Sequence, residues 1–154
     1  MHSRYLENIE RNPNMDIWYL DSREGNSIHV YSRRDSNIIQ VIRDGVYNPV
    51  LGSGSCCSLV DEKYEPIFNQ VSNDQVTIRR VIVRDYQFKT EVNNYIELKI
   101  VNTVDYKTIH SVDSSGLKVW HYNGSIFVSG ELKAELLKVG EQELEFSKGF
   151  MLWG

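Results

Sequence analysis

Apolar and polar residues alternate with a period of two along most of this chain, and two stretches switch to helical spacing. Met15–Leu20, Ser27–Ser32 and Asn37–Ile42 read as short strands, and the short polar runs between them suit hairpin connections, which predicts a three-stranded meander. The first turn, Asp21–Asn26, has Gly25 available for positive φ. Asp44–Gly54 carries Gly45, Pro49, Gly52 and Gly54 and predicts irregular backbone. Ser58 or Asp61 then caps a helix with Val60, Tyr64, Ile67 or Phe68, and Val71 on one face. Pro66 inside that helix would cost about 3 kcal/mol. Either the helix bends there, or its regular part starts near Glu65 with Pro66 at the first position.

Gln75–Arg84 and Tyr95–Val104 are the next strands. In the second, Ile96, Leu98 and Ile100 share one face and Tyr95, Glu97 and Lys99 the other, and its continuous apolar character predicts a central position. Asp113–Gly116 is a turn. Leu117–Tyr122 and Ser125–Ser129 flank Asn123-Gly124, the pair that a type I′ hairpin favours because both central residues need positive φ. Ser129 is placed to cap a helix with Leu132, Leu136, Leu137 and Val139 as its buried stripe and Gly140 as its end. Gln142–Phe146 closes the pattern as a strand. Cys56–Val83 and Ile126–Phe146 share the order strand end, serine cap, short helix, strand; this is either an internal duplication or two independent units. The prediction is an α+β fold: a mixed, largely antiparallel sheet with two short amphipathic helices packed on it.

At 154 residues the chain suits one domain with its own core, predicted to span 15–154 after a loose polar arm at 1–14 that ends in Asn12-Pro13-Asn14. Hydrophobic residues at 41% and charged residues at 25% argue against global disorder. A formal net charge of -4 argues against a nucleic-acid partner, which calls for a basic field. No window approaches a membrane span and the N-terminus has no apolar core of a signal peptide, so the expected compartment is the cytoplasm. The two cysteines, Cys56 and Cys57, are adjacent. Neighbouring Cα atoms lie about 3.8 Å apart, below the roughly 4.4 Å where ordinary disulfides begin, which predicts two reduced thiols.

Catalytic chemistry finds little footing. His2, His29, His110 and His121 stand apart, with no metal-ligand spacing and no nucleophile alongside; His29 and His121 read as strand residues facing solvent or a polar partner. Gly52-Ser53-Gly54-Ser55 lacks the Gly-Lys-Ser/Thr ending of a phosphate loop. Asp85 and Asp105 sit at strand ends, where turn formation accounts for them. Arg79, Arg80, Arg84 and Lys89 either discourage edge pairing or meet an acidic surface. The expectation is a non-catalytic protein with no metal and no cofactor. Aromatic residues are in surplus, and glutamates crowd the last quarter, a combination suited to anchoring and steering a protein partner. Trp120, Tyr122, Glu131, Glu135, Glu141 and Glu143 are the residues this points to. Exposed edge strands also leave room for a homodimer.

Tyr95–Val104, then Val112-Asp113-Ser114-Ser115, then Ile126-Phe127-Val128-Ser129-Gly130-Glu131-Leu132 with its helix, then Glu143-Leu144-Glu145-Phe146, together resemble a bacterial immunity-protein family of polymorphic toxin systems, the Myxococcus-type immunity protein domain. Cys57-Ser58 through Val83 is similar to that family's earlier serine-capped helix and strand. The resemblance covers roughly residues 45–150 and rests on patterning. The chain departs from the pattern at Gly130, where an acid is expected, and at Glu141-Gln142-Glu143, which replaces Thr-Gly. The resemblance implies a binding protein that neutralises a cognate toxin and brings no catalytic residues with it. The other reading is a non-catalytic accessory domain, phage- or secretion-associated, with a different protein partner.

Overall fold

The computed structural model describes residues 15–32, 36–51 and 57–150. The expected N-terminal arm, the Gly52–Ser55 loop, Cys56 and the last four residues lie outside the described residues. In chain order the elements are β1 (Ile17–Ser22), β2 (His29–Ser32), β3 (Ile38–Arg43), β4 (Leu59–Asp61), a 3₁₀ turn (Glu62–Tyr64) running into α1 (Glu65–Phe68), β5 (Val76–Asp85), β6 (Thr90–Ile100), β7 (Val119–Tyr122), β8 (Ser125–Ser129), α2 (Gly130–Gly140) and β9 (Leu144–Lys148). The class is α+β as expected, with the strands divided between two mostly antiparallel sheets of order β7-β8-β1-β9 and β2-β3-β5-β6-β4.

The predicted meander does not form. β2 and β3 make a hairpin in the second sheet, while β1 lies in the first sheet between β8 and β9. β1 needs cover on both faces, because Ile17 belongs to one core cluster and Leu20 to another. A short connection permits a hairpin; it does not outweigh two buried faces. β6 is interior, with Ile96, Leu98 and Ile100 on one face and Tyr95 on the other, yet it starts at Thr90 and stops at Ile100. The chain then leaves the sheet, and Thr103 bridges to His121 beside β7.

Each sheet contains the same connection. β8 and β9 both run antiparallel to β1 and are joined by α2; β4 and β5 both run antiparallel to β6 and are joined by the 3₁₀ turn and α1. The two serine-cap units seen in the sequence are thus two split β-α-β arrangements. Their apolar faces meet in the largest core, where Tyr64, Ile67 and Phe68 pack with Leu132 and Leu136 between Ile96 and Leu98 of one sheet and Ile126 and Val128 of the other. Burying each such aliphatic side chain contributes about 1.5–3 kcal/mol.

Local chemistry explains the element ends. Asn123 and Gly124 have φ of 48° and 85°, the two positive values a type I′ turn requires. Ser129 Oγ accepts from Leu132 N at 3.4 Å and from Lys118 N at 3.0 Å, and donates to Gly116 O at 2.6 Å, so one buried hydroxyl caps α2 and ties it to β7. Pro66 sits in the first turn of α1, and Asp61 caps the 3₁₀ turn through Lys63 N at 3.0 Å. Ser58 instead donates to Gly124 O at 2.8 Å. A Cβ on Gly130 would land on the Asp16 carboxylate, which accounts for glycine at this position. Cys57 is buried and disulfide-bonded, which corrects the expected reduced thiol there.

Candidate interaction surface

The sequence-predicted contact residues do not converge on one patch. Trp120 is 5% exposed and packs with Phe127 and Ile109 on the face of the first sheet away from α2. Tyr122, half-buried, packs edge-on against Phe150 at 5.4 Å. Residues 104–112 cover that face with Val104 and Ile109. Glu131 is exposed in the first turn of α2, a position its charge favours.

Glu135, Glu141 and Glu143 do gather near the C-terminal end of α2. Glu135 pairs with Lys138 at 2.9 Å, and the Glu141 carbonyl accepts from Arg23 Nη2 at 2.9 Å. A shallow cleft of ≈ 330 Å³ lies here between Lys63, Lys138, Glu141, Gln142 and Glu143. Glu143 receives the Tyr64 hydroxyl and the Lys63 ammonium on the same oxygen, the latter at 2.5 Å. Burial opposes its charge, but hydrogen bonds from Lys63 and Tyr64 and the Lys63 charge outweigh that and hold its pKa below the ordinary carboxylate value. The Tyr64 phenol is held well above its usual value by burial first and then by Glu143, so it remains a donor. On the neighbouring strand pair Asp21 lies opposite Glu145, and burial followed by the Glu145 charge raises the Asp21 pKa despite bonds from Ser22 N and Tyr19.

A second surface lies at the far end of the second sheet, and the sequence did not single it out. β5 and β6 form a long hairpin whose turn, Tyr86-Gln87-Phe88-Lys89, carries two aromatic rings outward, 47% and 55% exposed. Asp85, itself buried, closes the turn by accepting from Gln87 N at 2.9 Å and Phe88 N at 3.1 Å. This is the turn-forming role its strand-end position suggested. Lys89 holds a left-handed φ of 53°, sparsely populated for a lysine. Arg84 pairs with Glu91 across the hairpin at 3.0 Å and lies 5.7 Å from the Tyr86 ring centre. Tyr47, also exposed, bonds to Thr90 beside the turn; burial first, and then Asp85, raise its pKa. The signal available in the sequence was an aspartate three residues before a phenylalanine between two long strands, a polar clamp under an aromatic tip.

The three arginines of the basic cluster are taken up in ion pairs: Arg79 with Glu97 at 2.5 Å, Arg80 with Glu62 at 2.6 Å and Glu65 at 3.4 Å, and Arg84 with Glu91. Asp105 also closes a turn, accepting from Lys107 N and Thr108 N. Among the described residues no group of three or more His, Cys, Asp or Glu is placed to hold a metal ion, and no helix is long and apolar enough to cross a membrane. No family model matches the chain, and no curated protein or solved structure matches it significantly.

Proposed function

We propose that this chain is a non-catalytic protein-binding domain that neutralises a cognate bacterial toxin, covering the toxin's active surface with the aromatic tip of the β5–β6 hairpin. The observation that carries this reading is the combination of exposed rings and a fixed backbone at that tip. The backbone that carries Tyr86 and Phe88 is held by the Asp85 clamp before any partner arrives, so little backbone ordering entropy is lost on binding. With Tyr47 they present roughly 200–350 Å² of aromatic surface, taking about 150–250 Å² per ring at the exposures found. That is too little for a permanent interface and suits the centre of a standard one of about 800 Å² per partner. Aromatic anchors of this kind concentrate binding energy. Toxin neutralisation as the purpose of binding comes from the resemblance to the immunity family.

The test is survival. A toxin domain encoded beside this chain is expressed with and without it, and growth is scored. Rescue by the wild type but not by a Tyr86→Ala/Phe88→Ala variant of equal abundance is the expected result. Failure of the well-expressed wild type to rescue removes the toxin assignment and leaves an accessory domain with another partner.

A further inference from the structure

We infer that the open half of the second sheet is a two-fold interface for a second copy of this chain. The inference goes beyond the partner role of the hairpin tip and rests on other residues. One face of β5 begins in the main core with Val76 and Ile78, and the helical layer ends where Arg80 bonds Glu62 and Glu65. Beyond Arg80 the same face continues through Ile82 and Arg84, level with Ile38 and Gln40 of β3, and none of these four side chains belongs to a core cluster among the described residues. Tyr31 on β2 and Ile42 on β3 are 53% and 62% exposed at its margin.

The strand register makes this face self-complementary. Tyr31 is opposite Gln40, Gln40 opposite Arg84, and Arg84 opposite Glu91, so four strands present phenol, amide, guanidinium and carboxylate in one row. A two-fold axis parallel to the strands, between β3 and β5, keeps each row and reverses the strand order. Gln40 of one copy then lies over Arg84 of the other, and Tyr31 over Glu91. One row away, Ile38 lies over Ile82. The amide oxygen accepts from the guanidinium, and the phenol donates to the carboxylate.

The hydrogen-bonding capacity is in place. Arg84 donates twice to Glu91 Oε2 and once, at 3.4 Å, to the Tyr86 hydroxyl, which leaves two of its N–H groups for the incoming amide and Glu91 Oε1 for the incoming phenol; the Tyr31 hydroxyl and the Gln40 amide make no side-chain hydrogen bond among the described residues. Because Arg84 and Glu91 are already paired, no lone charge is buried. Moving the axis one strand over, between β5 and β6, would leave Tyr31 and Ile42 uncovered. Such an interface is isologous, as a two-fold requires, and aligned sheets stack about 10 Å apart. Its small apolar content suits a reversible dimer and not an obligate one.

Sedimentation equilibrium on the full chain, from about 1 μM to about 1 mM, tests the idea. The expected mass rises from 17.9 kDa toward twice that value. Ile42→Asp and Tyr31→Ala, both at exposed positions, should each weaken association at least tenfold while circular dichroism stays unchanged. Charge at the facing pair fixes the geometry. Tyr31→Lys, which meets Glu91 of the other copy, should keep the association, and Tyr31→Glu, which meets it with a like charge, should abolish it. A wild type that remains at 17.9 kDa throughout overturns the inference, as does a dimer indifferent to Ile42→Asp and to Tyr31→Glu.

Discussion

Replacing Tyr64 with Phe removes one hydroxyl from the junction of the two helices and leaves the ring in the core. In the native chain that hydroxyl donates to a Glu143 oxygen that Lys63 also reaches at 2.5 Å. A hydrogen bond to a charged acceptor contributes about 1.5–3 kcal/mol. Glu143 keeps a third of its side-chain surface, so water replaces part of the lost bond and the expected cost falls to about 1–2 kcal/mol. For a chain of this length that is a drop in Tm of roughly 2–8 °C. The pH dependence separates this cause from simple repacking. The folded-state pKa of Glu143 is depressed, so its contribution is fully present above the unfolded value of about 4.3 and disappears as pH falls through the folded value. The stabilities of wild type and Tyr64→Phe in urea unfolding should therefore differ at pH 7, and the gap should narrow as pH falls below about 4. Equal stability at pH 7, or a gap that does not narrow as the medium is acidified, would refute the reasoning.

Further outcomes follow from the same physics. Ser129→Ala should cost about 1–3 kcal/mol in urea unfolding, because it removes the α2 cap and leaves part-buried groups at Lys118 N and Gly116 O without this partner. Gly140→Ala should cost about 1–3 kcal/mol, since the new methyl meets the Tyr64 hydroxyl and Leu144; thermal unfolding beside Tyr64→Phe/Gly140→Ala, where that hydroxyl is gone, should show part of the loss recovered. Glu145→Gln should act in the opposite sense. Asp21 has a raised folded pKa, so its penalty grows as pH rises through that value, and removing the facing charge should stabilise the chain by a few tenths of a kcal/mol at pH 7 and by nothing at pH 3.

What the sequence made legible was local. Asn123-Gly124, the Ser129 cap and Pro66 at the start of a helix are each decided by the backbone needs of one or two residues, and all three stand as read. Long-range pairing was not legible. Met15–Leu20 resembles its neighbours in the sequence, yet β1 pairs with strands more than one hundred residues away. Burial went astray for the same reason. Trp120 and Tyr86 look alike as strand-end aromatics, and only the coverage of one sheet face by residues 104–112 puts the first inside, while the Asp85 turn holds the second out. Near the end of α2 the Glu135–Lys138 pair follows helical spacing, whereas the Glu143–Lys63 pair joins elements that no periodicity connects.

Calorimetric titration of the purified toxin domain with this chain tests the central claim most directly. Wild type should bind, and Tyr86→Ala/Phe88→Ala should lose at least about thirtyfold in affinity with its Tm unchanged, the loss of one strong anchor or two modest ones. Binding of undiminished strength by that folded variant would contradict the account.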